Sequence, residues 1–204
     1  MKLPKIREVM EALKALIFGP YTSKYPKVKV EAPEGFRGKA IFYEEDCVGC
    51  AACAEVCPSR AISVEEKPSG DRKGIRKLTL RHDRCIFCGQ CERNCITKKG
   101  VRLTKEYELS TFRRQDVFTY IEKDLVFCES CGSPITTYEH IRWMADQTGI
   151  LTFTNPTLYL PALKSLSLIK EAESAQDRPH RRSDQIKILC PHCRREMTLL
   201  EEWG

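Results

Sequence analysis

Apolar and polar positions change period several times along the chain, and each change marks an element. Leu3, Ile6, Met10, Leu13 and Ile17 recur at steps of three and four, while Lys2, Lys5, Arg7 and Lys14 fall on other faces. That period predicts an amphipathic helix over Leu3–Phe18, stopped by Gly19-Pro20. From Tyr21 to Gly38 the pattern is extended and punctuated by prolines, with lysines alternating against Val28 and Val30. Ala61–Val64 and Arg76–Leu80 read as paired strands joined by the turn-rich stretch Lys67-Pro68-Ser69-Gly70-Asp71, and Gly100–Thr104 as a matching strand. Further on, Tyr138–Thr148 and Leu160–Ala175 read as helices, and the charged stretch Glu173–Asp184 as an exposed loop.

The cysteines change this picture. Cys47, Cys50, Cys53 and Cys57 follow C-x2-C-x2-C-x3-C, and Cys85, Cys88, Cys91 and Cys95 repeat that spacing 38 residues later. The doubled run resembles the ligand pattern of two-cluster bacterial ferredoxins, in which each run gives three thiolates to one [4Fe–4S] cubane and its fourth to the other. Three closely spaced cysteines let one tight loop wrap a cubane, and the fourth lies on the outgoing turn, facing the second. The expected ligand sets are therefore Cys47, Cys50, Cys53 and Cys95 for one cluster, and Cys85, Cys88, Cys91 and Cys57 for the other.

Residues between these cysteines suit close backbone approach. Val48, Gly49, Ala51, Ala52 and Gly89 are mostly small, so N–H groups can reach the inorganic sulfides and stabilise the added negative charge of the reduced state. Pro58 removes a donor and helps end the turn after Cys57; Ile96 stands at the equivalent place in the second run. Zinc binding or simple packing is the competing reading, and two complete runs in register argue against it.

Composition narrows the class. The 204 residues can hold one ordinary domain or two small ones. Twelve cysteines grouped as C-x-x-C speak for metal binding rather than a disulfide framework, and thus for a reducing cytoplasm and an anaerobic or fermentative setting. No secretory leader is expected from the N-terminal pattern, and no apolar run approaches the roughly 18 residues needed to span a bilayer. The formal net charge of +6 would ordinarily raise nucleic acid as a partner. Two clusters and one four-thiolate zinc would each contribute about −2, which largely offsets that excess, so no nucleic-acid partner is expected.

A second metal site follows. Cys128-Glu129-Ser130-Cys131-Gly132 and Cys190-Pro191-His192-Cys193 are two C-x-x-C pairs, the signature of a zinc ribbon or rubredoxin-like site. Zinc is the preferred occupant of Cys128, Cys131, Cys190 and Cys193; iron is the alternative, and disulfides or no metal remain open. His192 is expected to point away from the metal. His82, His140 and His180 read as surface or packing residues, and Arg178-Pro179-His180-Arg181-Arg182 as a solvated loop. The chain contains no Gly-rich phosphate loop, nucleophile elbow or dinucleotide fingerprint, so no catalytic residue is assigned and the expected chemistry is electron movement.

An ordered series of motifs extends beyond the cysteines: Tyr25-Pro26, Gly35-Phe36-Arg37-Gly38-Lys39, Arg84-Cys85-Ile86-Phe87-Cys88-Gly89-Gln90-Cys91-Glu92 and Lys105-Glu106-Tyr107-Glu108-Leu109. Over residues 1 to about 120 it resembles the two-cluster iron–sulfur subunit of formate hydrogenlyase and hydrogenase-4 complexes, itself related to the two-cluster subunit of respiratory complex I. The C-terminal cysteine pairs resemble the formate hydrogenlyase version, and the complex I relative normally lacks them. The resemblance implies an electron-transfer subunit of a membrane-bound group 4 [NiFe] hydrogenase, peripheral on the cytoplasmic face of the membrane. Its implied partners are an iron–sulfur donor (a formate dehydrogenase module or ferredoxin), the hydrogenase small and large subunits, and the complex's membrane subunits. A complex-I-like ferredoxin or quinone oxidoreductase is the alternative, and a nucleic-acid-acting protein with structural clusters is the remote one.

The expected architecture is α+β. An N-terminal amphipathic helix and extended arm occupy residues 1–38, a 2[4Fe-4S] ferredoxin fold residues 39–110, and a four-cysteine metal domain with a helical insertion residues 111–204. Because the ferredoxin unit is closed by its own clusters and strands, the N-terminal helix is expected at the membrane interface or on a membrane subunit.

Overall fold

In a computed structural model of the chain, residues 5–19, 25–69, 72–169 and 185–199 are described. The chain divides into two compact units, Met1–Phe36 and Arg37–Gly204. In the first, helix α1 spans Ile6–Phe18. Glu8 accepts a hydrogen bond from the Lys5 N–H at 3.1 Å, which closes its first turn. Gly19, with φ of 77°, stops it in a conformation that costs glycine little. No residue of α1 is buried, and Ile6, Met10, Leu13 and Ile17 are all exposed. The expected start at Leu3 lies outside the described residues.

The second unit is mixed α/β. Strands β1 (Ala40–Phe42) and β4 (Val101–Leu103) form a short antiparallel pair, with Ala40 opposite Leu103 and Phe42 opposite Val101. The strand expected over Gly100–Thr104 thus forms, and its partner is β1. Between these strands lie the one-turn helices α2 (Ala52–Glu55) and α3 (Gln90–Arg93), one inside each cysteine run.

A second sheet, entirely antiparallel, has the order β2-β3-β5-β6. Its hairpin, β2 (Ile62–Pro68) and β3 (Gly74–Arg81), is the expected strand pair lengthened to its turn. Along β3 the odd positions face outward while Gly74, Arg76, Leu78 and Leu80 are buried, the period-two pattern of a half-covered strand. Strand β5 (Phe118–Phe127) runs beside β3 from Ile75↔Asp124 to Arg81↔Phe118. It lies beyond residue 110, so one sheet crosses the boundary expected there. Strand β6 is Pro134–Thr137.

Helices cover the far end of this sheet. α4 occupies Tyr138–Thr148 as expected, capped by Thr137 Oγ1, which accepts from the His140 N–H. The later helix is displaced from the expected Leu160–Ala175: α5 spans Pro156–Ser165. Asn155 caps it and Pro156 takes its first position, where the missing N–H costs nothing. Residues 170–184, including the expected loop, His180 and its flanking arginines, lie outside the described residues. α6 (Pro191–Leu199) begins inside the last cysteine pair.

Two cores result. Ala40, Cys53, Ala61, Ile62, Leu80, Cys91 and Val101 are buried together between the cysteine runs. Val126, Ile141, Leu160 and Ile188 form another, under α4 and α5.

Candidate metal centres

The two cysteine runs fold alike because the same backbone events recur at the 38-residue shift. Gly49 and Phe87 both have positive φ, as do Ala51 and Gly89, and Arg60 and Lys98. Each pair reverses the chain at an equivalent point. Ala51 and Gly89 precede α2 and α3, and both sit in the left-handed region. Sequence reading picked out the two glycines as small. It missed that Ala51 and Phe87 must adopt a conformation that ordinarily favours glycine.

The eight thiols gather into two groups. Cys47, Cys50, Cys53 and Cys95 line one small pocket with Phe42, Leu78 and Val101. Cys57 lies instead with Cys85, Cys88 and Cys91, whose charges it would repel. The groups adjoin: Cys53 also feels Cys91.

Electrostatics separates Cys47, Cys50, Cys53, Cys85 and Cys91 from Cys57 and Cys95, the fourth cysteine of each run. Burial pushes the Cys47, Cys50 and Cys85 thiols up, and mutual repulsion adds to it. Cys53 is pushed up to about 12 and Cys91 to about 11, burial being the main cause in both. Burial also opposes ionisation of Cys57, but the Ser59 hydroxyl and the N–H groups of Ala61, Ile62 and Ser59 outweigh it and lower its pKa. Ala61 N–H donates to Cys57 Sγ at 3.2 Å. Cys95 is lowered in the same way, with Thr97 in the place of Ser59 and Gly100 and Val101 supplying N–H groups. Buried thiols that resist ionising beside one another fit a cationic iron–sulfur core, which would relieve both burial and repulsion.

A third group lies at the other end of the sheet. The Sγ atoms of Cys128, Cys131, Cys190 and Cys193 all lie within 4.8 Å of one another. Cys131 and Cys190 are 3.7 Å apart. A disulfide would need about 2.0 Å, whereas the edge of a tetrahedron with metal–sulfur bonds of about 2.3 Å is about 3.8 Å. Cys128 directly follows β5, and its N–H donates to Ser133 O at 2.8 Å, turning the chain so that Cys131 faces back. Cys190 and Cys193 flank the start of α6, where the Cys193 N–H donates to Cys190 Sγ at 3.4 Å. Leu189 and Met197 wall the group. Burial opposes ionisation of Cys131 too, but Ser133 and the neighbouring thiols hold it at about 6, while burial pushes Cys193 up. A ready thiolate beside Cys128 and Cys193, both of which burial pushes up, suits a divalent cation. His192 is exposed, with Nδ1 3.5 Å from Glu196.

The two other described histidines, His82 and His140, are packed. His82 is buried with Nε2 3.3 Å from Thr119 Oγ1, and His140 Nδ1 lies 2.7 Å from Thr136 Oγ1.

Contacts that sequence reading missed lie around the Cys47–Cys50 loop. Arg76, only 9% exposed, donates from Nη1 to Gly49 O at 2.9 Å and from Nη2 to Glu66 Oε1 at 2.6 Å. Lys123 Nζ donates to Glu44 O at 2.9 Å. Thr137 Oγ1 donates to Val48 O. The available signal was Arg76 itself, a charge on the apolar face of an alternating strand.

Fold and thiol pattern define a two-cluster iron–sulfur protein of ferredoxin type. Residues 46–99 match the 4Fe-4S dicluster domain family. The chain is 31% identical over 134 residues to NADH-quinone oxidoreductase subunit I 2 of Geobacter metallireducens, covering 62% of this chain and 98% of that one. It is 29% identical over 188 residues to formate hydrogenlyase subunit 6 of Escherichia coli, covering 92% and 88%. Among solved structures, it is 28% identical to a chain of the membrane-bound sulfane sulfur reductase, an archaeal respiratory membrane complex, with a TM-score of 0.36 over 57% of this chain and 61% of that one. The chain belongs to the NADH-quinone oxidoreductase subunit I family, and it is an iron–sulfur electron-transfer subunit with two [4Fe–4S] clusters.

Proposed function

We propose that this chain relays electrons from an upstream iron–sulfur donor, a formate dehydrogenase module or a ferredoxin, to the small subunit of a membrane-bound group 4 [NiFe] hydrogenase. Cys47, Cys50, Cys53 and Cys95 hold one cluster, and Cys85, Cys88, Cys91 and Cys57 the other. The clusters supply one-electron carriers. The chain's own residues bury them, donate N–H groups to their sulfurs and hold them side by side. The observation that carries this reading is the adjacency of the two thiol groups, through which Cys53 feels Cys91 across the shared core.

Residues 39–110 are the relay. Residues 111–204 carry a structural zinc on Cys128, Cys131, Cys190 and Cys193, a ribbon-like site with α4 and α5 inserted between its cysteine pairs. The match to formate hydrogenlyase subunit 6 supports the hydrogenase assignment, since its 188 aligned residues extend well past residue 110. The complex I relative matches almost whole, yet covers only 62% of this chain. That nearly complete match supports the second reading, a complex-I-like ferredoxin or quinone oxidoreductase.

Among the described residues no helix is long and apolar enough to cross a membrane. The exposed apolar stripe of α1 is our candidate for a peripheral membrane contact, on the cytoplasmic face. Anaerobic purification in mild detergent tests the assignment. A co-purifying nickel-containing large subunit supports the hydrogenase reading. Co-purifying quinone-reactive subunits without nickel support the second, and a chain recovered alone with four irons refutes both.

A further inference from the structure

We infer that the buried Arg76, aided by the half-buried Lys123, raises the reduction potential of the cluster bound by Cys47, Cys50, Cys53 and Cys95 above that of its neighbour, so that this cluster is reduced first. The inference rests on the ligand sets proposed above.

The geometry is one-sided. Arg76 reaches the first loop between two of its cysteines, through Gly49 O at 2.9 Å. Its counter-ion Glu66 contacts the opposite part of the guanidinium, at 3.0 Å from Nε and 2.6 Å from Nη2. The Arg76 side chain is 10% exposed and that of Glu66 32%, so the positive end of the pair faces the loop and the negative end is better solvated. Lys123 is a weaker second contributor: its side chain is 11% exposed, but its partner Glu139 at 3.5 Å keeps Oε2 buried and offsets part of its field. A charge held out of solvent acts through a low local dielectric and escapes ionic screening.

Around the second loop the arrangement differs. Phe87 replaces Gly49 at the 38-residue shift. The cation there is Arg37, which donates from Nη1 to Cys88 O at 3.1 Å, but it is solvent-exposed. Its field is screened and weak at the cluster. Both loops thus carry a cation on a carbonyl, and only the first carries it in the interior. Adding one electron makes a cluster more negative and breaks no bond, so a buried cation favours that step directly.

The test is a redox titration of the anaerobically reconstituted full chain, with dithionite as electron donor and electron paramagnetic resonance as readout. Iron is counted first: about eight per chain is required, and four would reject the ligand sets rather than this inference. Cys47→Ser identifies which signal belongs to the first group. Arg76→Gln should lower that cluster's reduced-to-oxidised ratio about tenfold at fixed potential, which is about 59 mV for one electron. Arg76→Lys, which keeps the charge, should largely restore it. Glu66→Gln removes the opposing charge and should shift the same cluster the other way. A structural disturbance would not produce opposite signs from the two ends of one ion pair. If Arg76→Gln fails to load iron, Glu66→Gln and Lys123→Met decide. Equal shifts in both clusters, shifts of one sign from Arg76→Gln and Glu66→Gln, or no shift would overturn the inference.

Discussion

Thr137 Oγ1 donates a hydrogen bond to the carbonyl of Val48, joining β6 to the loop between Cys47 and Cys50 across 89 residues of sequence. The same hydroxyl oxygen accepts from the His140 N–H at 3.3 Å and so caps α4. One fully buried threonine therefore serves the first cysteine loop and a helix of the four-cysteine half at once.

Thr137→Val keeps the shape and removes both bonds. A lost cap costs about 1 kcal/mol, and a buried carbonyl left without a partner costs a further 1–3 kcal/mol. We expect a destabilisation of about 2–4 kcal/mol in anaerobic denaturant unfolding. Iron should also be lost faster to a chelator from the Cys47 side than from the Cys85 side. An unchanged midpoint would show that neither bond contributes.

Ala51 offers the opposite kind of change. Its φ of 67° lies in the left-handed region, where a Cβ costs about 1–2 kcal/mol. Ala51→Gly should raise stability by about 1 kcal/mol, less whatever glycine adds to the entropy of the unfolded chain. The same unfolding assay reads it, and a clear loss of stability would mean that the methyl group packs usefully against the pocket.

The metal centres should separate by substitution. Cys50→Ser or Cys88→Ser should cripple electron transfer and lower the iron count from about eight. Cys193→Ser should leave that count and instead remove one further metal, with a lower melting temperature, because a structural metal contributes folding free energy. Element analysis alongside an electron-transfer assay checks both. Normal assembly of a Cys128→Ser variant with electron flow lost would make the four-cysteine metal a redox iron.

His82 gives the fold a pH dependence. Burial lowers its pKa and the nearby Lys39 adds to that, while Glu106 and Asp83 pull the other way. Its Nδ1 is buried without a hydrogen-bond partner. With the folded pKa below the unfolded value of about 6.5, the unfolded chain binds more protons once the pH drops through that value. Stability should then fall as the pH falls below about 6.5 and be unaffected by this group above it. The slope should be shallower in His82→Asn; identical slopes would remove His82 as its source.

Much of this was legible in the sequence, for reasons that differ by element. The cysteine runs were plain because metal ligation fixes residue type and spacing together. α4 was read to the residue, since Thr137 opens it and Gly149 closes it. α5 was misplaced because Asn155-Pro156, a cap followed by a first-turn proline, was passed over for the apolar run beginning at Leu160. β5 was not read at all. Glu122, Lys123 and Asp124 interrupt its centre, and only its pairing with β3 makes ten residues extended there. Arg76 was taken as an ordinary strand residue, and its partners Glu66, Gly49 and Thr136 are 10, 27 and 60 residues away. Such a contact leaves no local pattern.

The seven-residue register between β3 and β5 also bears on any attempt to cut the chain down to its iron–sulfur half. A fragment ending near residue 110 would keep all eight cysteines of the two runs, yet β3 would lose the neighbour on its open side. It would display a row of bare amide and carbonyl groups, with Leu78 and Leu80 stripped of Ile121, and would tend to stick to its own copies. The minimal soluble carrier that can be engineered from this chain therefore ends after Phe127, not before Phe118.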